Sequence, residues 1–433
     1  MSTIHSTPQE DTPLFSPTSV EVKVKSVQDL SAKMNTTNNK NKKRYGTLAV
    51  VLSGLALTAI SGYQYSSSTN GGGGVIRPST SLVSMETKME LALDLANTAP
   101  CEVKCAKHLI HVGGYKCSDT DNKPTRKTYV CYPTSGTVTT NFPVVLFQRG
   151  SSGWFNKHSS HYESWMKKIA EQCLVVIAPM TSGQYSYNLT APEALSPRAK
   201  ACATDVDLIT AYHDAQENWK NWTRADHKIT KPNWNQVGAG AHSAGAHHLP
   251  TFQMLFYQKY KRKIQAVVYS HGGSPDFGNP DDAISKHYKP DLDNCLTWKN
   301  ATDSEGQSVC AGIPAFFLTA SGDKTVNPRY PYNWFMKLTN EMVKRPNEVD
   351  QAVFVAVKDG THMEPVVTGK HNVYTARFLA CHLYDQGTPR SKKACSYINN
   401  DPSKGLCNKK NTSFCEVINF PLKKYHFCDN IYI

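Results

Sequence analysis

The feature that most constrains this chain is a regular alternation that begins near residue 126. Short apolar runs rich in β-branched residues alternate with amphipathic stretches of helical length. Strands that are apolar on both faces and are separated by crossover helices are typical of a parallel sheet covered on both sides. The pattern predicts strands at 127–132, 142–147, 173–179, 236–242, 265–270, 314–319 and 353–357, and helices at 161–171, 202–219, 244–260, 332–343 and 372–386. We therefore predict the α/β class, with a mostly parallel central sheet and helices on both faces.

The N-terminal hundred residues have a different character. Residues 1–44 are polar and lack a sustained apolar period, which predicts a disordered tail. Residues 45–65 contain an uncharged apolar run, and four basic residues stand just before it: Lys40, Lys42, Lys43 and Arg44. Basic residues on that side predict a signal anchor or transmembrane helix, with the tail in the cytosol and the rest of the chain translocated. A signal peptide cleaved near Ser61 is the alternative, which would give a secreted protein.

The remaining chain divides into three parts. Residues 66–100, with four consecutive glycines, are expected to form a flexible stalk. Residues 101–386 contain no linker-like break, so we predict one large domain there. Residues 387–433 are expected to form a cysteine-rich C-terminal appendix.

All thirteen cysteines lie at or after Cys101, which favours an oxidising compartment and disulfide bonds. Cys295 and Cys310 flank a polar loop, and we predict that they bond to each other. The tail cysteines are expected to pair among themselves: Cys395, Cys407, Cys415 and Cys428. Cys101 and Cys105 have no partners with the spacing of a zinc site, so we predict no metal and no other cofactor.

Charge and glycosylation signals bear on the partners of the chain. The formal net charge is +13, but Lys and Arg concentrate before the apolar run and beyond Arg390, without a basic stripe interleaved with aromatic residues. We therefore predict no nucleic-acid partner. Sequons at Asn188, Asn221, Asn300 and Asn411 fit a glycoprotein of the secretory route.

A candidate nucleophile follows the fourth predicted strand. The sequence Ala241-His242-Ser243-Ala244-Gly245 stands between that strand and a helix. Small residues two positions before and two after a serine permit a sharp strand-to-helix turn, which exposes the hydroxyl in a strained conformation. The pattern predicts a nucleophile elbow at Ser243, with alanine at the first glycine position.

Partners for such a serine follow in the order acid, then histidine. A strand ending in Gly322-Asp323 is followed by a strand ending in Gly360-Thr361-His362. An imidazole accepts the serine proton efficiently only when a carboxylate fixes its tautomer and stabilises the imidazolium. We predict Ser243, Asp323 and His362 as the catalytic residues, with His271 as a weaker rival for the base.

A developing oxyanion needs preorganised N–H donors. The N–H of Ala244, directly after the nucleophile, is one candidate. The other is expected in the loop after the 142–147 strand, where Ser151 is preferred over Ser152.

On these motifs, residues 142–386 resemble the α/β-hydrolases that include cutinases and bacterial polyester hydrolases, chlorophyllases, dienelactone-hydrolase-like proteins and platelet-activating-factor acetylhydrolases. The similar stretches are the elbow, the acid loop from Gly322 to Pro328 and the histidine loop from Gly360 to Pro365. The resemblance implies an α/β-hydrolase fold and esterase chemistry on Ser243, Asp323 and His362. The sequence departs from the group at Ala241 and at Gln148-Arg149, and in its predicted anchor and cysteine-rich tail.

The substrate is left open by the sequence. Only about forty residues separate the strands at 265–270 and 314–319, so we predict no large lid and an ester substrate that is bulky or surface-bound. Candidate substrate-binding residues are Trp154, Phe155, Tyr185, His242, His271 and Met363. The leading hypothesis is a serine carboxylic ester hydrolase that forms an acyl-enzyme. The alternatives are a lipase or chlorophyllase-like esterase acting on membrane lipids or pigments, and a catalytically silent scaffold used for binding.

Overall fold

The structure is a computed structural model, and the residues that it describes lie between Thr98 and Cys428. The described residues are 98–111, 125–134, 141–150, 159–180, 204–224, 226, 230–272, 295, 309–344, 351–367, 369, 372–399, 406–407, 412–419 and 423–428. The predicted cytosolic tail, the anchor at 45–65 and all but the last residues of the stalk lie outside them. No helix in the described ranges is long and apolar enough to cross a membrane.

Within these residues a single mixed sheet of ten strands forms the centre of the fold, in the order β1-β2-β4-β3-β5-β6-β7-β8-β9-β10. The strands are β1 (Val103–His111), β2 (Thr125–Pro133), β3 (Phe142–Gln148), β4 (Val175–Met180), β5 (Pro232–His242), β6 (Val267–Ser270), β7 (Ala315–Ala320), β8 (Gln351–Val357), β9 (Thr412–Asn419) and β10 (Lys423–Cys428). Strands β3 to β8 run parallel, while β1, β2, β9 and β10 join antiparallel at the two edges.

Helices cover both faces of the sheet. They are α1 (Ser159–Ala170), α2 (Thr204–Thr223), α3 (Ala244–Tyr260), α4 (Arg329–Lys344), α5 (Glu364–Val367), α6 (Asn372–Leu383) and α7 (Pro389–Asn399). Helices α2, α3 and α4 contribute to the apolar core on one face, and α1, α6 and α7 to the core on the other.

Strand β3 shows why the sheet is buried on both faces. All seven of its residues are buried. Val144 and Leu146 belong to the core under α2, α3 and α4, whereas Val145 and Phe147 belong to the core under α1 and α6. Because successive side chains of a strand point to opposite faces, an unbroken apolar run fits only a strand enclosed by two layers of helices.

The predicted α/β class with a mostly parallel sheet is confirmed, and the predicted helix at 244–260 has the observed bounds. The sequence pattern missed β1, β9, β10 and α7. Polar and charged residues interrupt the apolar pattern in each of these elements. Strand β9 pairs antiparallel with β8. Residues 387–433 therefore contribute two strands, β9 and β10, to the main sheet.

The disulfide predictions have mixed outcomes. Cys295–Cys310 is bonded, as predicted, and Cys407–Cys415 is a bond within the set of tail cysteines expected to pair with each other. The pairing of the tail cysteines only among themselves is wrong, because Cys395 on α7 bonds to Cys381 on α6. Helix α7 packs directly on α6 after a short connection, which brings these two side chains together. The side chain of Cys428 lies outside the described residues. Two further disulfides link Cys101 to Cys173 and Cys105 to Cys131.

If β9 is integral to the core, Phe414→Ala should destabilise the whole domain. The Phe414 ring lies 5.5 Å from the rings of both Phe354 and Tyr332, which belong to β8 and α4. Removing it should lower the free energy of unfolding by about 3 kcal/mol, measured by denaturant titration under oxidising conditions. The control Leu109→Ala, at a side chain that is 64% exposed, should change it by less than about 0.5 kcal/mol. Equal effects of the two substitutions would contradict a core role for β9.

Candidate active site

Ser243 lies at the junction between β5 and α3. Its backbone has φ 55° and ψ −130°, a strained conformation for a residue with a side chain. Two hydrogen bonds hold the turn: the Ser243 N–H donates to the carbonyl of Ser270 (2.8 Å), and the Ala246 N–H donates to the carbonyl of Ser243 (2.9 Å). The side chain makes no capping bond to the helix. The Ser243 hydroxyl is therefore left for another partner.

Two glycines allow the elbow to approach the loop that follows β3. A Cβ atom at Gly245 would lie 2.4 Å from the carbonyl oxygen of Arg149, and a Cβ at Gly150 would lie 2.8 Å from Cβ of Ser243. Neither distance is compatible with a side chain. The requirement for a small residue two positions after Ser243 thus comes from contact with the loop expected to hold the oxyanion donors.

Asp323 and His362 complete a chain of hydrogen bonds to Ser243. His362 Nδ1 lies 2.9 Å from Asp323 Oδ2, and His362 Nε2 lies 2.8 Å from Ser243 Oγ. An ionised carboxylate can only accept, so Nδ1 of His362 donates to Asp323. Nε2 is then left to accept the hydroxyl proton of Ser243. The structure brings together the three residues predicted as catalytic, all of them buried.

The carboxylate of Asp323 is fixed on both sides. Its Oδ1 accepts N–H bonds from Thr325 (2.9 Å) and Val326 (2.8 Å), while its Oδ2 faces His362. Hydrogen bonds from backbone N–H groups stabilise the charged form of a carboxylate and set its orientation. Asp323 is therefore positioned before any substrate arrives.

The acid loop and the histidine loop pack directly against each other. A Cβ at Gly322 would lie 2.7 Å from the carbonyl oxygen of Gly360, and a Cβ at Gly360 would lie 2.9 Å from Cβ of Ala320. Asp359, just before Gly360, has φ 56°. The glycines next to Asp323 and His362 thus permit the close contact that brings the two side chains together.

His242 was predicted to line the substrate site, but the structure places it behind the elbow. It is fully buried, and both ring nitrogens have protein partners. Nδ1 lies 2.8 Å from the hydroxyl of Tyr162, and Nε2 lies 2.9 Å from the backbone carbonyl oxygen of His362. Burial, followed by the proximity of His362, lowers the pKa of His242 to about 3. His242 is therefore neutral and presents no ring nitrogen to a substrate.

Tyr162 is the residue that sequence reasoning missed. It lies on α1, is fully buried, and accepts a hydrogen bond from the N–H of Gly150 at 3.1 Å. In the sequence it is one aromatic residue on an amphipathic helix, and nothing there distinguishes it from a packing residue.

The other predicted site residues have varied positions. His271 follows β6 and is buried, and its ring centroid lies 5.8 Å from that of His362. Its Nδ1 lies 3.0 Å from Oγ of Ser270. The imidazole that contacts the hydroxyl of Ser243 is that of His362. Met363 is partly buried against the core under α1 and α6. Ala244 begins α3, as expected for an oxyanion donor. Ser151, Trp154, Phe155 and Tyr185 lie outside the described residues.

Comparison with protein-family models and with curated protein sequences found no match to this chain. In the part of the chain that the structure describes, no group of three or more His, Cys, Asp or Glu side chains could hold a metal ion. Because neither comparison found a match, the interpretation of the site depends on the geometry of the site itself.

The contact at Gly245 predicts a large cost for even one methyl group. Gly245→Ala should lower the free energy of unfolding by about 3 kcal/mol or more, because the new atom meets backbone that cannot move without opening the elbow. In the control Gly240→Ala, the Cβ would first meet a ring carbon of Phe147 at 3.3 Å, and the loss should be about 1 kcal/mol. Thermal or denaturant unfolding measures both. A Gly245→Ala protein as stable as Gly240→Ala would show that the elbow is not constrained as described.

Proposed function

We propose that the chain is a serine carboxylic ester hydrolase with an α/β-hydrolase fold. The observation that carries the proposal is the continuous hydrogen-bonded sequence from Asp323 through His362 to Ser243, with distances of 2.9 and 2.8 Å. This geometry matches the roles of nucleophile, general base and orienting carboxylate. The position of the serine on a strained turn between a parallel strand and a helix supports it further.

The proposed acylation step uses these groups in order. Ser243 Oγ attacks the ester carbonyl carbon while His362 Nε2 takes its proton, and Asp323 stabilises the imidazolium that results. The N–H groups of Ala244 and Ser151 are the proposed donors to the oxyanion. When the tetrahedral intermediate collapses, His362 returns the proton to the leaving alcohol. Water, activated by the same histidine, then releases the carboxylic acid.

A catalytically silent scaffold is the competing proposal from another class. It would have no use for a serine held at φ 55°, a conformation that costs about 1–3 kcal/mol. Nor would it need a buried carboxylate that faces an imidazole. These two costs favour an enzyme. An esterase acting on membrane lipids or pigments stays a second proposal, supported by the predicted anchor at 45–65.

We further propose that the catalytic domain lies in the lumen of the secretory pathway or outside the cell, as part of a single-pass type II membrane protein. Five disulfides among the described residues support an oxidising compartment. Release as a secreted protein after cleavage near Ser61 is the alternative.

Ser243→Ala tests the nucleophile. It should lower kcat for a short-chain aryl ester by about 10^4-fold or more and abolish labelling by a fluorophosphonate probe, while leaving thermal stability intact. Ser396→Ala, at an exposed serine of α7, is the matched control and should keep full activity. A screen of acyl-chain lengths and aromatic esters on the active protein then defines the substrate class. Retained turnover in Ser243→Ala would refute the mechanism.

Asp323→Asn tests the orientation of His362. The N–H groups of Thr325 and Val326 should hold the amide oxygen of Asn where Oδ1 now lies, so the amide NH2 group would face Nδ1 of His362. An NH2 group can only donate, which forces the imidazole proton onto Nε2 and prevents it from accepting the serine proton. We expect kcat to fall by about 10^4-fold, the size of effect known for this substitution in a serine protease. Asp359→Asn, at an exposed aspartate, should have no such effect.

A further inference from the structure

Behind the proposed triad, a second chain of hydrogen bonds joins two loops of the site. The N–H of Gly150 donates to the Tyr162 hydroxyl (3.1 Å), which lies 2.8 Å from Nδ1 of His242. Nε2 of His242 lies 2.9 Å from the carbonyl oxygen of His362. One end of this chain is the residue before the expected oxyanion donor Ser151, and the other is the backbone of the proposed base.

With the His242 ring neutral, each bond in this chain has only one possible direction. A backbone N–H can only donate and a backbone carbonyl can only accept. Nε2 of His242 must therefore carry a proton in order to bond the carbonyl of His362. In a neutral ring Nδ1 is then an acceptor, so the Tyr162 hydroxyl donates to it while accepting from Gly150. The result is a fully satisfied chain with a single arrangement of protons.

The surroundings keep His242 in this neutral form. The ring is buried, and the ionisable side chains whose rings lie closest to it are Tyr162, His271 and His362. The two ring nitrogens contact a tyrosine hydroxyl and a backbone carbonyl, and neither partner is a carboxylate that could stabilise an imidazolium. The indole of Trp165 packs edge-on at 6.0 Å and adds apolar surface.

We propose that Tyr162 and His242 are positioning residues that set the backbone of the oxyanion loop relative to the backbone of His362. This inference rests on the proposed function, because it assigns the two residues to the same reaction. Gly150 also lies in close contact with Ser243, so a shift of its loop moves the oxyanion donors relative to the nucleophile. A displacement of about 1 Å at a reacting centre can lower a rate by about 100-fold.

Packing alone is the simpler interpretation of the same residues. Tyr162 also contacts the ring of Phe147 at 6.0 Å, and a phenylalanine would keep that contact. A packing role therefore predicts that loss of the hydroxyl affects stability alone. A positioning role predicts a lower kcat with little change in KM.

Tyr162→Phe separates the two interpretations, with Tyr384→Phe as the matched control. The Tyr384 hydroxyl donates to the carbonyl of Cys173 at 2.6 Å. Cys173 lies just before β4, at the amino ends of the parallel strands, whereas Ser243 lies at their carboxyl ends. For p-nitrophenyl butyrate, Tyr162→Phe should lower kcat by about 10- to 100-fold and change KM by less than about 2-fold. Tyr384→Phe should leave both constants unchanged. Equal kcat values in the two variants would refute the proposal.

Substitutions of His242 test the link to His362. In His242→Gln the amide nitrogen occupies the position of Nε2 and still donates to the carbonyl of His362, whereas His242→Leu keeps a similar volume without a donor. We expect His242→Gln to retain at least about 10-fold more kcat than His242→Leu, with both variants folded by circular dichroism. Equal losses in the two folded variants would refute the link.

Nuclear magnetic resonance of the full-length protein with 15N-labelled histidine tests the chain without any substrate. His242, identified by the signal missing from His242→Gln, should be a neutral ring with its proton on Nε2 from pH 5 to pH 8. A ring protonated on Nδ1, or one that titrates in this range, would refute the proposal. If His242 behaves as expected but Ser243 does not react with the fluorophosphonate, the proposed hydrolase function is refuted. The hydrogen-bond chain from Gly150 through Tyr162 and His242 to His362 is then supported without it.

Discussion

The turn at Ser243 is the constraint on which the rest of the site depends. Its φ of 55° is unfavourable for a serine and is maintained only because the surrounding structure holds it. Two backbone hydrogen bonds hold this turn, from the N–H of Ser243 to the carbonyl of Ser270 and from the N–H of Ala246 to the carbonyl of Ser243. Gly245 and Gly150 then allow the loop after β3 to pass within contact distance. The strain is supported by the buried parallel strands on either side, which cannot shift without opening the core.

The parallel sheet explains why residues far apart in sequence meet at this turn. Ser243 follows β5, His271 follows β6, Asp323 follows β7 and His362 follows β8, and these four strands are neighbours in that order. The carboxyl ends of parallel strands lie on the same side of the sheet, so the loops that follow them meet there. His362 contacts both Ser243, which is 119 positions away in the sequence, and Asp323, which is 39 positions away.

The sequence predicted those parts of the fold that depend on local pattern. Strands β3 to β8 are apolar on both faces and were found within a few residues of their bounds, and Ser243, Asp323 and His362 were found from the ends of three such strands. Strands β1 and β9 were missed, because polar residues interrupt the apolar run on both faces of each strand: Lys104 and Lys107 in β1, and Ser413 and Glu416 in β9. The Cys381–Cys395 bond and the chain through Tyr162 were missed for a different reason. They depend on which faces of α1, α6 and α7 meet, and that is decided only when the helices pack.

His242 and His362 show how environment divides the roles of two like residues. Their ring centroids lie 5.1 Å apart. His362 faces the carboxylate of Asp323, which stabilises an imidazolium, so it can accept and return a proton. His242 faces a tyrosine hydroxyl and a backbone carbonyl inside the core, where burial disfavours a positive charge. If both imidazoles titrated in the same pH range, their two positive charges would repel each other. Because His242 stays neutral, His362 can become positively charged beside it without that repulsion.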